Sequence, residues 1–255
     1  LWAVYRREAA AAFTSPVAYA IIAIFLLVAG YFFYTLAYIY GVESFDKMRT
    51  ADILGPQELT LGEQAIRPLF NNLGVILLML MPIVTMRLFA EEKRAGSMEM
   101  LFTWPLTDVE IALGKYLAAV TVYVVMLLAT APFTIYLSFF ADPPYAHILA
   151  AYLGLFLMGG AFIAFGTFVS TTTENQVVAA AVTFGGLLLF WAIAWTVGDK
   201  TGAVAETIKY LSIIEHLDLF AKGIVDSRDV VYYLSFIFLF LFLTLRSLES
   251  KGWRG

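Results

Sequence analysis

The stretch Glu91–Leu117, "EEKRAGSMEMLFTWPLTDVEIALGKYL", is the densest block of charge in the chain. Before it runs "NNLGVILLMLMPIVTMRLFA" (71–90), and after it "AAVTVYVVMLLATAPFTIYLSFF" (118–140). Each flank is about as long as the ~20 apolar residues that cross a bilayer. A charged block between two such runs reads as a connector on one membrane face, tied at both ends to spanning helices. That reading decides the fold class, an all-α integral membrane protein.

Composition agrees. The chain is 61% hydrophobic and 14% charged over 255 residues, where a soluble domain is nearer ~45–50% and ~25%. It has no cysteine, so disulfides, thiolate chemistry and Cys-based metal sites are excluded. The net charge of −4 disfavours nucleic acid as a partner. No cleavable signal peptide is apparent, since the first apolar run is long and lacks a small-residue cleavage pattern after it.

Six spans are expected, over 17–40, about 70–89, 116–139, 146–170, 177–197 and 230–248. Ser15 and Pro16 suit the N-cap and first helical position of the first. Pro82 and Pro132 lie inside the second and third, as structural kinks or flexing points. Lys/Arg placement orients the bundle. With both termini in the cytoplasm, the inside carries Arg6, Arg7, Arg87, Lys93, Arg94, Lys115, Arg246, Lys251 and Arg254. The outside carries Lys47, Arg49, Arg67, Lys200, Lys209, Lys222 and Arg228, a small margin that the charges nearest span ends reinforce.

The connectors carry structure of their own. In 1–14, Trp2, Tyr5, Ala9 and Phe13 form an apolar stripe with Arg6 and Arg7 off it, as in an interfacial helix. It either anchors the chain or touches a cytoplasmic partner. In 198–229, Ser212 and Glu215 fit a capping box, Ile213, Ile214, Leu217 and Ala221 make one face, and Gly223 marks a helix end. This segment reads as an amphipathic helix on the outer side. His216 and His147 stand apart from metal-type ligands, which makes them interfacial or structural. Gly159, Gly160 and Ala164, and the pair Ala181 and Gly185, allow close helix packing within the chain or between two copies.

The spans hold no central charge, which weakens an ion-coupled carrier or autonomous channel. Neutral polar residues at or within spans include Thr121, Thr130, Thr134 and Thr167; Asn71, Asn72, Thr85 and Thr183 are the substrate-pathway candidates. Most such hydroxyls bond their own helix. There is no phosphate-binding loop: "LGKYL" (113–117) lacks the leading glycine and the Ser/Thr. H-E-x-x-H is absent, and the Glu91–Glu92 pair lacks the arginine spacing and in-span histidines of CAAX-type membrane proteases. With no catalytic or metal site, the chain is not expected to be an enzyme, and a separate motor subunit is implied.

The charged block suits that partner. Thr107 and Glu110 form a T-x-x-E capping box with Asp108 in the first turn. "EEKRAGSMEML" can form a short polar helix, and "FTWPLTD" turns the chain back. The elbow over 91–108 would carry Met98, Met100, Phe102 and Trp104 at its tip, apolar groups suited to docking. A solvated connector is the bland alternative. Glu91, Glu92, Arg94, Met98, Glu99, Phe102, Trp104 and Asp108 form the candidate coupling set.

"RLFAEEKRAGSMEMLFTWPLTDVEIALGKYLA" resembles the signature block of ABC-2 type permeases, through Glu91, Glu92, Gly96, Ser97, Glu99, Leu101, Thr103, Pro105, Thr107, Glu110, Gly114 and Lys115. "RREAAAAFTSPVAYAIIAIFLLVAGYFF" and "YLSIIEHLDLFAKGIVDSRDVVYYLSFIFLFLFLTLRSLES" are similar to the gliding-motility-associated branch. The resemblance covers nearly the whole chain. It implies a single six-span permease domain over 1–255, a second permease subunit, identical or not, and two cytoplasmic ABC ATPases that hold ATP and Mg. No cofactor is expected on this chain. The 91–108 elbow would be the coupling helix, 1–14 the connecting helix and 202–223 an external reentrant element. A bacterial cytoplasmic (inner) membrane is implied, with room for a periplasmic or extracellular accessory protein. The expected function is export coupled to ATP hydrolysis; the rival is an ATP-driven scaffold or mechanotransmission subunit that moves no solute. A lumen lined by the first, second and fifth spans would separate the two.

Overall fold

A computed structural model describes residues 1–54, 61–97, 106–139, 145–196 and 202–252. Every regular element among them is helical. In order, they are α1 (Trp2–Thr14), α2 (Pro16–Leu54), a π-helical turn (Gly62–Ile66), α3 (Arg67–Thr85), α4 (Ala90–Arg94), α5 (Asp108–Leu128), α6 (Ala131–Ser138), α7 (Tyr145–Thr172), α8 (Gln176–Ala192), a 3-10 turn (Ile193–Thr196), α9 (Ala203–Tyr210), α10 (Ile213–Ala221) and α11 (Ser227–Gly252).

Among the described residues, five stretches are long and apolar enough to cross a membrane: Pro16–Asp46, Gly62–Arg94, Asp108–Leu137, Tyr145–Thr172 and Ser227–Ser250. The expected fifth span is the shorter apolar helix Gln176–Ala192, so five rather than six helices meet the length requirement. α8 starts where Asn175 accepts hydrogen bonds from the Val177 and Val178 amides, at 2.9 and 3.4 Å.

The first span does not stop near residue 40. α2 is 39 residues long, about 58 Å at 1.5 Å per residue, well beyond a ~30 Å hydrocarbon core. Part of the expected 41–68 connector is therefore a helical continuation of the span. The two prolines act differently. α3 runs through Pro82. The third span breaks before Pro132, which lies in the first turn of α6 while α5 ends at Leu128. A proline there offers no amide to the Leu128 carbonyl.

α7 is the most enclosed span and packs against α11, α3, α10, α8 and α5. In lipid no hydrophobic effect separates helix from solvent, so packing and satisfied hydrogen bonds hold such a bundle. Both are present. The Tyr123 hydroxyl donates to the Leu155 carbonyl, and Tyr233 donates to the Ile213 carbonyl at 2.8 Å. Phe165 of α7 meets Phe240 of α11 with ring centroids 4.8 Å apart, and Phe236 packs on the same Phe240 ring at 4.6 Å.

Small residues serve unevenly. A Cβ on Gly159 would sit 2.2 Å from the Tyr123 ring, and one on Gly186 2.4 Å from Phe165. The expected Ala181–Gly185 pair is different: Ala181 is exposed and nothing lies within 4 Å of a Cβ on Gly185. The close approach of α8 runs through Gly186 instead.

Gly159→Ala should destabilise the protein by about 1–3 kcal/mol, because a fully buried ring must shift. Gly185→Ala should be neutral or slightly stabilising, since alanine is the better helix former. Thermal unfolding in detergent checks both; equal melting temperatures for the two variants would contradict the packing described.

Candidate functional site

At one end of the bundle, α1, α4 and the start of α5 meet in a charged joint. Lys115 lies one turn into the exposed-to-buried transition of α5, and its side chain is only 2% exposed. Its Nζ is 2.9 Å from Glu92 Oε1 and 3.2 Å from Glu8 Oε1. Arg7 reaches the same two carboxylates, at 2.6 Å to Glu8 and 3.2 Å to Glu92. Bonding to Glu8 raises the Arg7 pKa further, against the effect of burial, so the group stays charged. Two cations and two anions from three helices thus balance each other. Lys115 also lies 5.3 Å from the centre of the Phe89 ring.

Sequence dictates the approach of α1. A Cβ on Gly114 would sit 2.8 Å from Val4 Cγ1, so glycine lets α1 pack on α5 beside Lys115. The expected stripe is corrected here. Val4 is the buried residue of α1; of the expected stripe, Tyr5, Ala9 and Phe13 are partly covered, as are Glu8 and Ala12, whereas Trp2 is 69% exposed. The helix is docked on its own chain through a face rotated from Trp2.

The turn between α3 and α4 is clamped from α7. Ser170 Oγ accepts from the amides of Phe89 and Ala90, at 3.0 and 3.1 Å, and donates to the Met86 carbonyl at 3.2 Å. Lys93 Nζ donates to the Thr171 carbonyl. Phe89, Ile111, Ala112 and Leu248 form a small apolar core beneath the turn. α4 then closes on Gly96, at φ +67. The Gly96 amide donates to Lys93 O and the Ser97 amide to Glu92 O, both at 3.1 Å, a Schellman pattern that favours glycine. The Thr107–Glu110 capping box is fully formed.

Of the coupling candidates, the structure brings Glu92 into the charged joint and leaves Glu91 and Arg94 exposed on α4. Asp108 lies in the first turn of α5. Met98, Glu99, Phe102 and Trp104 fall outside the described residues. Lys115 and Ser170 were not singled out as site residues from the sequence. Only the Gly-Lys pair in the signature block hinted at the first, and nothing local marks Ser170.

The substrate-pathway candidates are spread out. Thr85 is fully buried, donates to the Met81 carbonyl at 3.0 Å and packs on Gly166. Thr183 is buried, and its hydroxyl has no partner among the described residues. Asn72 is partly exposed on α3. Asn71 belongs to a second polar joint at the opposite end of α3. There Arg67 holds Asp218 bidentately, at 2.7 and 2.9 Å, Lys222 adds a contact at 2.7 Å, and Asn71 donates at 3.4 Å. Burial alone would raise the Asp218 carboxyl, but bonds from Arg67, Lys222 and Asn71 together hold it below the usual range.

His216 and Asp229 stitch α10 to α11 at this end. His216 Nε2 donates to the Tyr210 carbonyl at 2.9 Å, and Nδ1 lies 2.5 Å from Asp229. The role is structural, as is that of His147, which packs against Gly223. The expected Ser212–Glu215 capping box is not formed: Ser212 is the N-cap by position, but its buried hydroxyl has no partner among the described residues. Gly223, at φ +81, does end α10, with Ile224 and Gly223 amides bonded to Leu219 and Phe220.

Lys115→Ala should cost about 3 kcal/mol or more, because it leaves the Glu8 and Glu92 carboxylates to share the single Arg7 guanidinium, one negative charge in excess in a poorly solvated joint. Lys115→Met combined with Glu92→Gln should recover part of that loss in thermal melts; a double variant no better than Lys115→Ala would show that charge balance is not the cause. Asp218 gives a pH test. Its folded pKa lies below the unfolded value of about 3.9, so its contribution is complete above that value and fades as pH falls through the folded one. Asp218→Asn should lower the melting temperature near neutral pH, and the gap to the parent should narrow near pH ~3.

The model of a family described as ABC-2 family transporter protein matches residues 58–212, which include α3, α4, α5 and α7, with Glu92, Lys115 and Ser170. The match supports the family and not the gliding-motility-associated branch of it. No curated protein matches the chain. A family match over more than half of the sequence, together with five membrane-crossing helices, identifies the chain as a multi-pass membrane protein of the ABC-2 transporter family.

Proposed function

We propose that the chain is the permease subunit of an ATP-driven exporter, working with a second permease subunit and with separate ATPases that hold ATP and Mg. The observation that carries this reading is the charged joint. The root of the 91–108 elbow is bound through Glu92 to Lys115 of α5 and Arg7 of α1, and through the preceding turn to Ser170 of α7. A push on the elbow would therefore reach three helices through short, charge-assisted contacts. The tip residues Met98, Glu99, Phe102 and Trp104 would meet the ATPase, with Glu91, Arg94 and Asp108 flanking them.

In this reading both termini and the elbow face the cytoplasm, across a bacterial inner membrane. α8 makes the sixth crossing: its 17 residues and the 4 of the 3-10 turn reach about 33 Å together, comparable to the ~30 Å core. The exposed ridge of α2, with Leu27, Tyr31, Tyr34 and Tyr38, would face the second subunit or lipid. Asn72, partly exposed on α3, is then the candidate best placed to meet a substrate, while Thr85 and Thr183 would act through packing.

Two experiments test it. Single cysteines at Ser44, Ser97 and Ser227 should label from outside at the first and last only; external labelling at Ser97 alone would invert the topology. Trp104→Ala should weaken co-purification with the ATPase by about tenfold or more, as loss of an aromatic anchor does. Glu92→Ala should preserve binding better yet lower the ATP turnover of the complex in lipid. Normal assembly and turnover in both variants would make 91–108 a simple connector.

A further inference from the structure

A cavity of about 310 Å3 lies beside the charged joint, between α1, α2, α3 and α5. Its inner wall is apolar, with Ala18, Ile21, Val84, Ala119 and Val122, and its mouth carries Glu8, Arg87 and Glu91. Glu8 is already held by Arg7 and Lys115. Arg87 and Glu91 are not committed: neither has a hydrogen bond or ion pair from its side chain among the described residues, and Arg87 Nε is buried without a partner. An unpaired guanidinium nitrogen out of water is costly unless something binds it.

The polarity runs along the bundle. The charged mouth lies at the end where α1 and α4 dock, and the apolar wall continues along α2 from Val17 to Ile21, about 6 Å deeper at 1.5 Å per residue. A lipid of the adjacent leaflet has the same order, headgroup at the surface and chain toward the middle. The volume sits at the low end of the ~300–1,000 Å3 typical of ligand pockets. It admits one chain segment and the phosphoryl region, leaving the other chain in the bilayer. The mouth offers both signs of charge. A guanidinium presents several planar donors to phosphate oxygens, and a carboxylate complements an ammonium.

We infer that this cavity binds a zwitterionic aminophospholipid, with its phosphate on Arg87, its ammonium on Glu91 and one acyl chain against Ile21, Val84 and Val122. The lipid would fill the gap behind the turn that joins α3 to α4, and so stiffen the root of the elbow. Placing it in the cytoplasmic leaflet rests on the orientation proposed above; the binding itself does not.

The test uses the full chain purified in detergent, without an ATPase, so its outcome is independent of the coupling reading. Native mass spectrometry would titrate phosphatidylethanolamine, phosphatidylglycerol, phosphatidylcholine and, separately, inorganic phosphate. Phosphatidylethanolamine should bind about tenfold more tightly than phosphatidylglycerol, the scale of one hydrogen-bonded charge contact. Arg87→Gln should abolish retention of both lipids. Glu91→Gln should remove the preference and leave the two equal. Ala119→Phe, which fills the apolar wall, should block binding in protein whose thermal melt shows it folded. Equal affinities in the parent, unchanged binding in Arg87→Gln or folded Ala119→Phe, or binding of phosphate as strong as that of the lipid would each overturn the inference.

Discussion

A lysine ammonium almost wholly removed from water must be neutralised by its neighbours, and Lys115 imposes that requirement on three helices at once. Desolvating a charge costs several kcal/mol unless good partners replace the water. Glu92 and Glu8 are those partners, and Arg7 balances the second negative charge. The adjacent Gly114 removes the one side chain that would hold α1 away. Thus the Gly-Lys pair sets both the distance and the charge of the contact, and α1 and α4 dock where they do because α5 demands it.

The opposite end of the bundle follows the same logic with other residues. Arg67, Asp218, Lys222 and Asn71 tie α10 to the start of α3, while His216 and Asp229 tie it to α11. Between the ends, the spans are held by aromatic packing and by tyrosine hydroxyls bonded to helix carbonyls. Ionic contacts therefore gather at the two ends of the bundle, and apolar contacts fill the length between them. A bundle built this way is tied by ion pairs at its joints and by side-chain packing between them.

Local chemistry is a sound guide only when the tertiary setting leaves it alone. Thr107 and Ser212 both stand three residues before a glutamate. The Thr107 box forms at an exposed turn, with both of its bonds made. Ser212 is buried beside Tyr232, whose hydroxyl donates to the neighbouring Leu211 carbonyl, and Glu215 is exposed. Packing of α10 on the spans decides that helix start without the box. The stripe on α1 shows the same override, because docking on Gly114 selects Val4 over Trp2.

Residue order and composition determined the membrane class, the approximate spans, the helix stop at Gly223 and the signature block of the family, whereas the polar helix expected over 91–101 ends already at Arg94, before Gly96 at positive φ. Those features depend on run length, on the φ that glycine tolerates, and on neighbours a few residues apart. Tertiary structure decided the rest. It carried α2 far beyond its apolar run, broke the third span before Pro132, brought Glu8, Glu92 and Lys115 together across more than 100 positions of sequence, and placed Ser170 on the turn it clamps. Such contacts leave no periodic or local trace, because each partner satisfies a charge or an amide that is distant in the chain and close only after the helices pack.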